Sequence, residues 1–206
     1  MNKKEIRNFT FEVRAEEDQE RGKFIEGRAI VFNERTDLGW YDEIIDQDAL
    51  RDTDLRDVRF LVNHNTDMIP LARSRNNNAN STMQLSVIDG AGLDIRANLD
   101  TENNADARSL YSATSRGDIS GMSFMFVVGA DKWEDIDSDH PTRTVLKVDR
   151  IMEVSACTFP AYEQTSLEAR GLAEALESAK ASLESAKTEA RAKEARIKLI
   201  KLLSEV

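Results

Sequence analysis

Apolar side chains recur at every second position through long stretches of the first 160 residues. Phe9, Phe11 and Val13 alternate with Asn8, Thr10 and Glu12, which predicts a half-buried strand. An acidic turn from Glu16 to Gly22 separates it from residues 23–32, KFIEGRAIVF, a second strand expected to pair with the first. Val58, Phe60, Val62 and His64 fall on one face of another strand. Met83, Leu85 and Val87 alternate, Asp89-Gly90 turns the chain, and Leu93, Ile95, Ala97 and Leu99 answer, so a hairpin is expected. Residues 119–128, 143–149 and 151–159 read as further strands. One helical period stands out: Ala107, Leu110, Tyr111 and Thr114, with Asp100 or Thr101 as N-cap and Gly117 as stop. A short helix is expected from Asp46 to Arg51. Many strands with few helices predict a mainly β fold, an antiparallel barrel or sandwich with one or two helices outside.

The pattern changes near the C-terminus. All nine glycines and all three prolines lie at or before Gly171, and Ala, Glu, Lys, Leu and Arg dominate after it. A boundary therefore falls in Pro160–Gly171, giving a domain over 1–165 and a linker with helical tail over 166–206. In the tail, Leu172, Leu176, Ala179, Leu183, Ala186, Ala190, Lys193, Ile197 and Ile200 are spaced alternately by four and three, a 3.5-residue repeat. Two arrangements fit: an amphipathic helix folded back on the domain, or a projecting helix that self-associates or docks on a partner helix. The second is preferred, because the repeat is that of a coiled-coil seam.

Charge narrows the partners. The net charge is −10, and since residues 172–206 carry +1, the rest of the chain carries −11. Such a domain repels phosphate, so nucleic acid is a poor partner. No apolar run is long enough to span a bilayer, and Met1–Glu5 lacks the apolar stretch of a secretory signal. Cys157 is the single cysteine, which fits a reducing compartment, and with two histidines it cannot build a Cys/His zinc site.

Four side chains stand out chemically. His64 ends the apolar run VRFLVNH and opens the polar loop NTDMIP, which suggests an imidazole at a sheet rim. His140 lies in the acidic loop Asp131–Pro141, where a solvated histidine is the plainer reading. In Gly121-Met122-Ser123-Phe124, Met122, Phe124 and Phe126 share one strand face and Ser123 points to the other, as a satisfied hydroxyl or a shielded nucleophile. Glu153 interrupts an otherwise apolar or small strand; it must reach the rim, be protonated or have a partner, either an arginine such as Arg150 or Arg143, or an imidazole. Ser155 and Cys157 read as packing residues. Serine needs a base, histidine titrates in the right range, and a carboxylate fixes its tautomer. These are the parts of an acyl-transfer site, although spacing does not show that they meet.

Four ordered blocks between Phe24 and Arg170, FIEGRAIVFNERTDLGWYDEIID, DVRFLVNHNTDMIPLARS, GDISGMSFMFVV and MEVSACTFPAYEQTSLEAR, resemble the prohead proteases of tailed bacteriophages. That family is related in fold to the herpesvirus assembly proteases, so the resemblance implies a herpesvirus-protease-like antiparallel β-barrel with a long C-terminal helix. It implies a serine endopeptidase that matures capsids, with Ser123 as nucleophile, His64 as general base and Glu153 as third member, His140 being the alternative. It implies cleavage of a scaffold protein or of the scaffolding region of the major capsid protein, and of the protease itself, inside the prohead in the host cytoplasm. Neither metal nor organic cofactor is called for. Self-association through the tail or the barrel's helices stays open, as does a non-catalytic assembly protein that keeps the fold.

Overall fold

The structure, a computed structural model, describes residues 4–9, 13–19, 21–158 and 166–204. Strands β1 (Lys4–Phe9), β2 (Val13–Asp18), β3 (Gly22–Val31), β4 (Thr36–Asp37) and β5 (Asp42–Ile45) come first. They are followed by β6 (Asp57–Val62), β7 (Ala72–Arg75), β8 (Met83–Ile88) and β9 (Gly92–Asn98). Helix α1 (Ala105–Ser115), β10 (Gly121–Glu134), β11 (Thr142–Cys157) and α2 (Ser166–Ser204) complete the chain.

The strands form two sheets, and neither closes into a barrel among the described residues. One is four-stranded, in the order β2-β3-β9-β8, and entirely antiparallel. The other has seven strands, with the path β1-β10-β11-β5-β4 and β6-β7 attached to β11. It is mixed rather than antiparallel, because β5 and β6 both run parallel to β11. A single core lies between the sheets, with Ile25, Ile30, Met83, Leu93 and Ile95 from one meeting Phe60, Met122, Phe124, Phe126, Ile151 and Val154 from the other. Burying such side chains stabilises the fold by about 1.5–3 kcal/mol each.

Several expectations hold and several shift. The β8–β9 hairpin forms around Gly90, with Met83 paired to Ala97 and Leu85 to Ile95. Gly92 admits no side chain: an added Cβ would lie 1.8 Å from the Ile30 carbonyl oxygen, where β3 is bulged. The expected strand around residues 8–13 is instead two strands, β1 and β2, which join different sheets; Phe11 lies outside the described residues. Helix α1 buries Ala107, Leu110 and Thr114 as expected, but its N-cap is Asn104, whose Oδ1 accepts the backbone N–H groups of Asp106 and Ala107. Asp100 is spent on a turn with Asn103. Residues 46–51 form successive turns rather than a helix, Ala49 N–H donating to the Asp46 carbonyl and Arg51 N–H to that of Asp48. The two strands expected over 143–159 are one strand, β11, paired with β10 through several register shifts.

The tail is helical, and its two halves behave differently. Ala175, Ala179 and Leu183 are buried against the domain, where α2 packs on β1 and β10. Ser182 Oγ contacts Asp131 and accepts from Trp133 Nε1 at 3.0 Å. From Arg191 onward the described side chains are exposed, Ile197, Leu199, Ile200 and Leu203 among them. The folded-back arrangement therefore describes the first half, and only the second half projects. Residues 160–165 of the expected boundary lie outside the described residues, and residues 166–171, expected as linker, already belong to α2.

Candidate active site

Register between three strands builds the site. Ser123 on β10 stands opposite Ser155 on β11, and Met125 stands opposite Glu153. Side chains two apart on a strand share a face, so Ser123, Ser155 and Glu153 lie together on the face opposite Met122, Phe124 and Phe126. On the far side of β11, β6 ends at Val62, paired with Ala156. There the chain turns: Asn63 and His64 both adopt the left-handed conformation, with φ of 50° and 53°. Two consecutive positive φ values are costly outside glycine. Here Asn63 N–H donates to the Ala156 carbonyl, and its side chain bonds the backbone N–H and hydroxyl of Thr158. The His64 backbone N–H donates to Ser155 Oγ at 3.1 Å. The turn folds the imidazole over the sheet. His64 thus leaves the strand face expected for it, and at 3% exposure it is buried rather than open at a rim.

The imidazole links the other two groups. Nε2 lies 2.5 Å from Ser123 Oγ, and Nδ1 bonds Glu153 Oε1. The second Glu153 oxygen accepts the Ser155 hydroxyl at 2.6 Å. An ionised carboxylate only accepts, so this network places the ring proton on Nδ1 and leaves the Nε2 lone pair facing Ser123. The partner of Glu153 is therefore the imidazole. Arg143 and Arg150 are engaged elsewhere, Arg143 with Glu5, Glu43 and Asp131, and Arg150 near Asp54. Ser155, read from the sequence as packing, bonds both the carboxylate and the histidine backbone; its spacing of two from Glu153 was the signal that it shares the face. Ser123 has a second contact, to the Arg7 backbone carbonyl at 2.8 Å, and its residue is fully buried.

His140 is placed away from this line. Its Nε2 lies 3.1 Å from Asp42 Oδ1, in the loop between β10 and β11. Asp37, Asp42 and His140 bring ligand atoms within 4.8 Å of one another, but Asp42 is also paired with Arg35 at 3.0 Å.

A second buried polar cluster sits on the other side of β1. Arg7 bonds both oxygens of Glu43 and one of Glu5, and Arg143 bonds Glu5, Glu43 and Asp131. Burial works against ionising Glu5, yet Arg7 and Arg143 outweigh it and hold the carboxyl below its usual range. Burial also pushes the neighbouring Tyr41 phenol up to about 12.

A family model described as caudovirus prohead serine protease matches residues 9–180. Among curated proteins, the chain is similar to the prohead protease of Enterobacteria phage HK97, with 31% identity over 162 residues. The alignment covers 77% of this chain and 64% of that relative, so the chain spans less than two thirds of the relative's length. No solved structure gives a match. The family match takes in most of the chain and all four blocks that carry the resemblance, and on that ground the chain belongs to the caudovirus prohead serine protease family.

Proposed function

We propose that the chain is a capsid-maturation serine endopeptidase, with Ser123 as nucleophile, His64 as general base and Glu153 as the acid that orients it. The single observation that carries this is the unbroken hydrogen-bonded line from Glu153 through both nitrogens of His64 to Ser123 Oγ. As Ser123 Oγ attacks a peptide carbonyl carbon, its proton passes to His64 Nε2. The imidazolium so formed faces the Glu153 carboxylate, which stabilises the new charge. When the tetrahedral intermediate collapses, Nε2 returns the proton to the leaving amine and the acyl group stays on Ser123. Water, deprotonated by the same nitrogen, then frees the enzyme. Ser155 acts as a positioning residue, since it holds the carboxylate and the histidine backbone at once.

The substrates proposed are a scaffold protein or the scaffolding region of the major capsid protein, and the protease itself, cut inside the assembling prohead in the host cytoplasm. The resemblance supports this, and so does the family. It also supports the finer fold assignment, a relative of the herpesvirus assembly proteases. The exposed half of α2, apolar at Ile197, Ile200 and Leu203, is proposed as a helical address that docks on scaffold. A second reading, a non-catalytic assembly protein, is favoured by one observation, the complete burial of Ser123.

Co-expression with capsid and scaffold proteins separates the two. The native chain is expected to yield defined fragments by mass spectrometry and Ser123→Ala none. Identical fragments from both would remove Ser123 from the chemistry.

A further inference from the structure

We infer that β1 is a built-in occupant of the substrate cleft, and that a peptide reaches Ser123 only when β1 leaves β10. The inference rests on the protease reading of the site and concerns its regulation. Among the described residues, β1 is the outermost strand on its side of the seven-stranded sheet, and β10 is its only strand partner. Their register runs from Lys4 opposite Val127 to Phe9 opposite Met122, with Asn8 opposite Ser123. A backbone carbonyl of β1, that of Arg7, sits 2.8 Å from the nucleophilic oxygen. A peptide substrate must bring its own carbonyl to the same oxygen, and Ser123 has no exposed surface through which it could arrive.

The contact also affects the chemistry. The Ser123 hydroxyl has one proton and two acceptors, His64 Nε2 and the Arg7 carbonyl. While the proton points to the carbonyl, the base cannot take it. Departure of β1 removes the competing acceptor and bares the β10 edge, whose backbone groups can then pair with an extended chain. The occupant that replaces β1 is thus an unfolded or extended peptide segment rather than a folded surface.

β1 is held by more than its ladder. Glu5 and Arg7 are tied to Arg143 and Glu43, and α2 packs on β1 with Ser178 facing Glu5. The tail helix that packs on β1 therefore straps down the strand that covers the nucleophile. Events at the tail, docking or cleavage, are coupled to access at Ser123 through that strap.

A disulfide clamp tests this. Ile6 and Met125 stand directly opposite each other on the two strands, and neither belongs to the reacting groups. In Ile6→Cys/Met125→Cys, oxidation is expected to slow labelling of Ser123 by a fluorophosphonate about tenfold or more, and reduction to restore the rate of the native chain. Equal labelling of the oxidised and reduced forms overturns the inference. Amide hydrogen exchange gives a readout that does not need catalysis. Residues 4–9 are expected to exchange about 100-fold faster than residues 151–157 in the native chain, and oxidation of the clamp should abolish the difference. Equal protection of the two strands overturns the inference as well. If no form is labelled but the exchange difference appears and the clamp removes it, the strand opens as inferred and the nucleophile assignment is what fails.

Discussion

The two buried polar clusters that flank β1 are built on opposite plans. Around Arg7 and Arg143, each guanidinium meets more than one carboxylate and each of Glu5 and Glu43 meets both arginines. That network is closed and redundant, with fixed charges. Around His64 the bonds run in series, one from Glu153 to Nδ1 and one from Nε2 to Ser123. That line can shift a proton because its middle member accepts or donates at either end. A redundant ionic net suits holding a strand in place; a serial line suits chemistry but fails when any link is cut. Arg7 belongs to both, its side chain in the net and its carbonyl on Ser123 Oγ.

The largest expected effect comes from cutting the serial line. His64→Ala should lower the cleavage rate about 10³-fold or more while leaving the fold intact. A loss of secondary structure to match would place His64 among the structural residues and erase the contrast. Next is the net. Arg143→Ala leaves Glu5 and Glu43, two buried carboxylates, on the single guanidinium of Arg7, and a cost of about 3–5 kcal/mol is expected. For a chain of 206 residues that lowers the melting temperature by roughly 6–20 °C. An unchanged melting temperature would mean the net holds nothing.

A smaller effect is expected from Ser155→Ala, which removes the bond to Glu153 and the acceptor for the His64 N–H. About 1–3 kcal/mol is at stake, expected as a fall in kcat with KM unchanged, and Ser155→Thr should recover most of it. A rise in KM alone would assign Ser155 to binding. The smallest effect concerns pH. Glu5 titrates below its ordinary value of 4.5 because Arg7 and Arg143 face it, with Ser178 also facing it and Glu43 and Tyr41 close by. A lowered folded value means that its contribution is complete above the ordinary value and is lost as the pH falls through the lowered one. The protection of the β1 amides, taken relative to their intrinsic exchange rate at each pH, should therefore fall below about pH 4.5, and less so in Glu5→Gln. Identical acid profiles for the two chains would exclude Glu5 as the cause.

Much of this was legible because it is local. The alternation from Met83 to Leu99 and the Asp89-Gly90 turn specify a hairpin within seventeen residues, and that hairpin forms. The face assignment at β10 was equally local, since period two alone separates Ser123 from Met122 and Phe124. The N-cap of α1 was misplaced because several polar residues precede the helix, and only the backbone path shows that Asn104 reaches Asp106 and Ala107. His64 was misplaced by one assumption, that the strand period continues to the end of the apolar run. The positive φ at Asn63 breaks it, and the partners that hold Asn63, Ala156 and Thr158, lie more than ninety residues on.

The chain's own order of residues set the β-rich character, the switch to a helical tail and the short list of reactive groups. Those follow from periodicity and side-chain chemistry, which act between neighbours. The encounter of Ser123, His64 and Glu153, the parallel seating of β5 and β6 on β11, and the pairing of β1 beside Ser123 depended on contacts between distant segments. Register and sheet order are chosen by the burial of the whole core, and no local pattern encodes which strand will lie beside which.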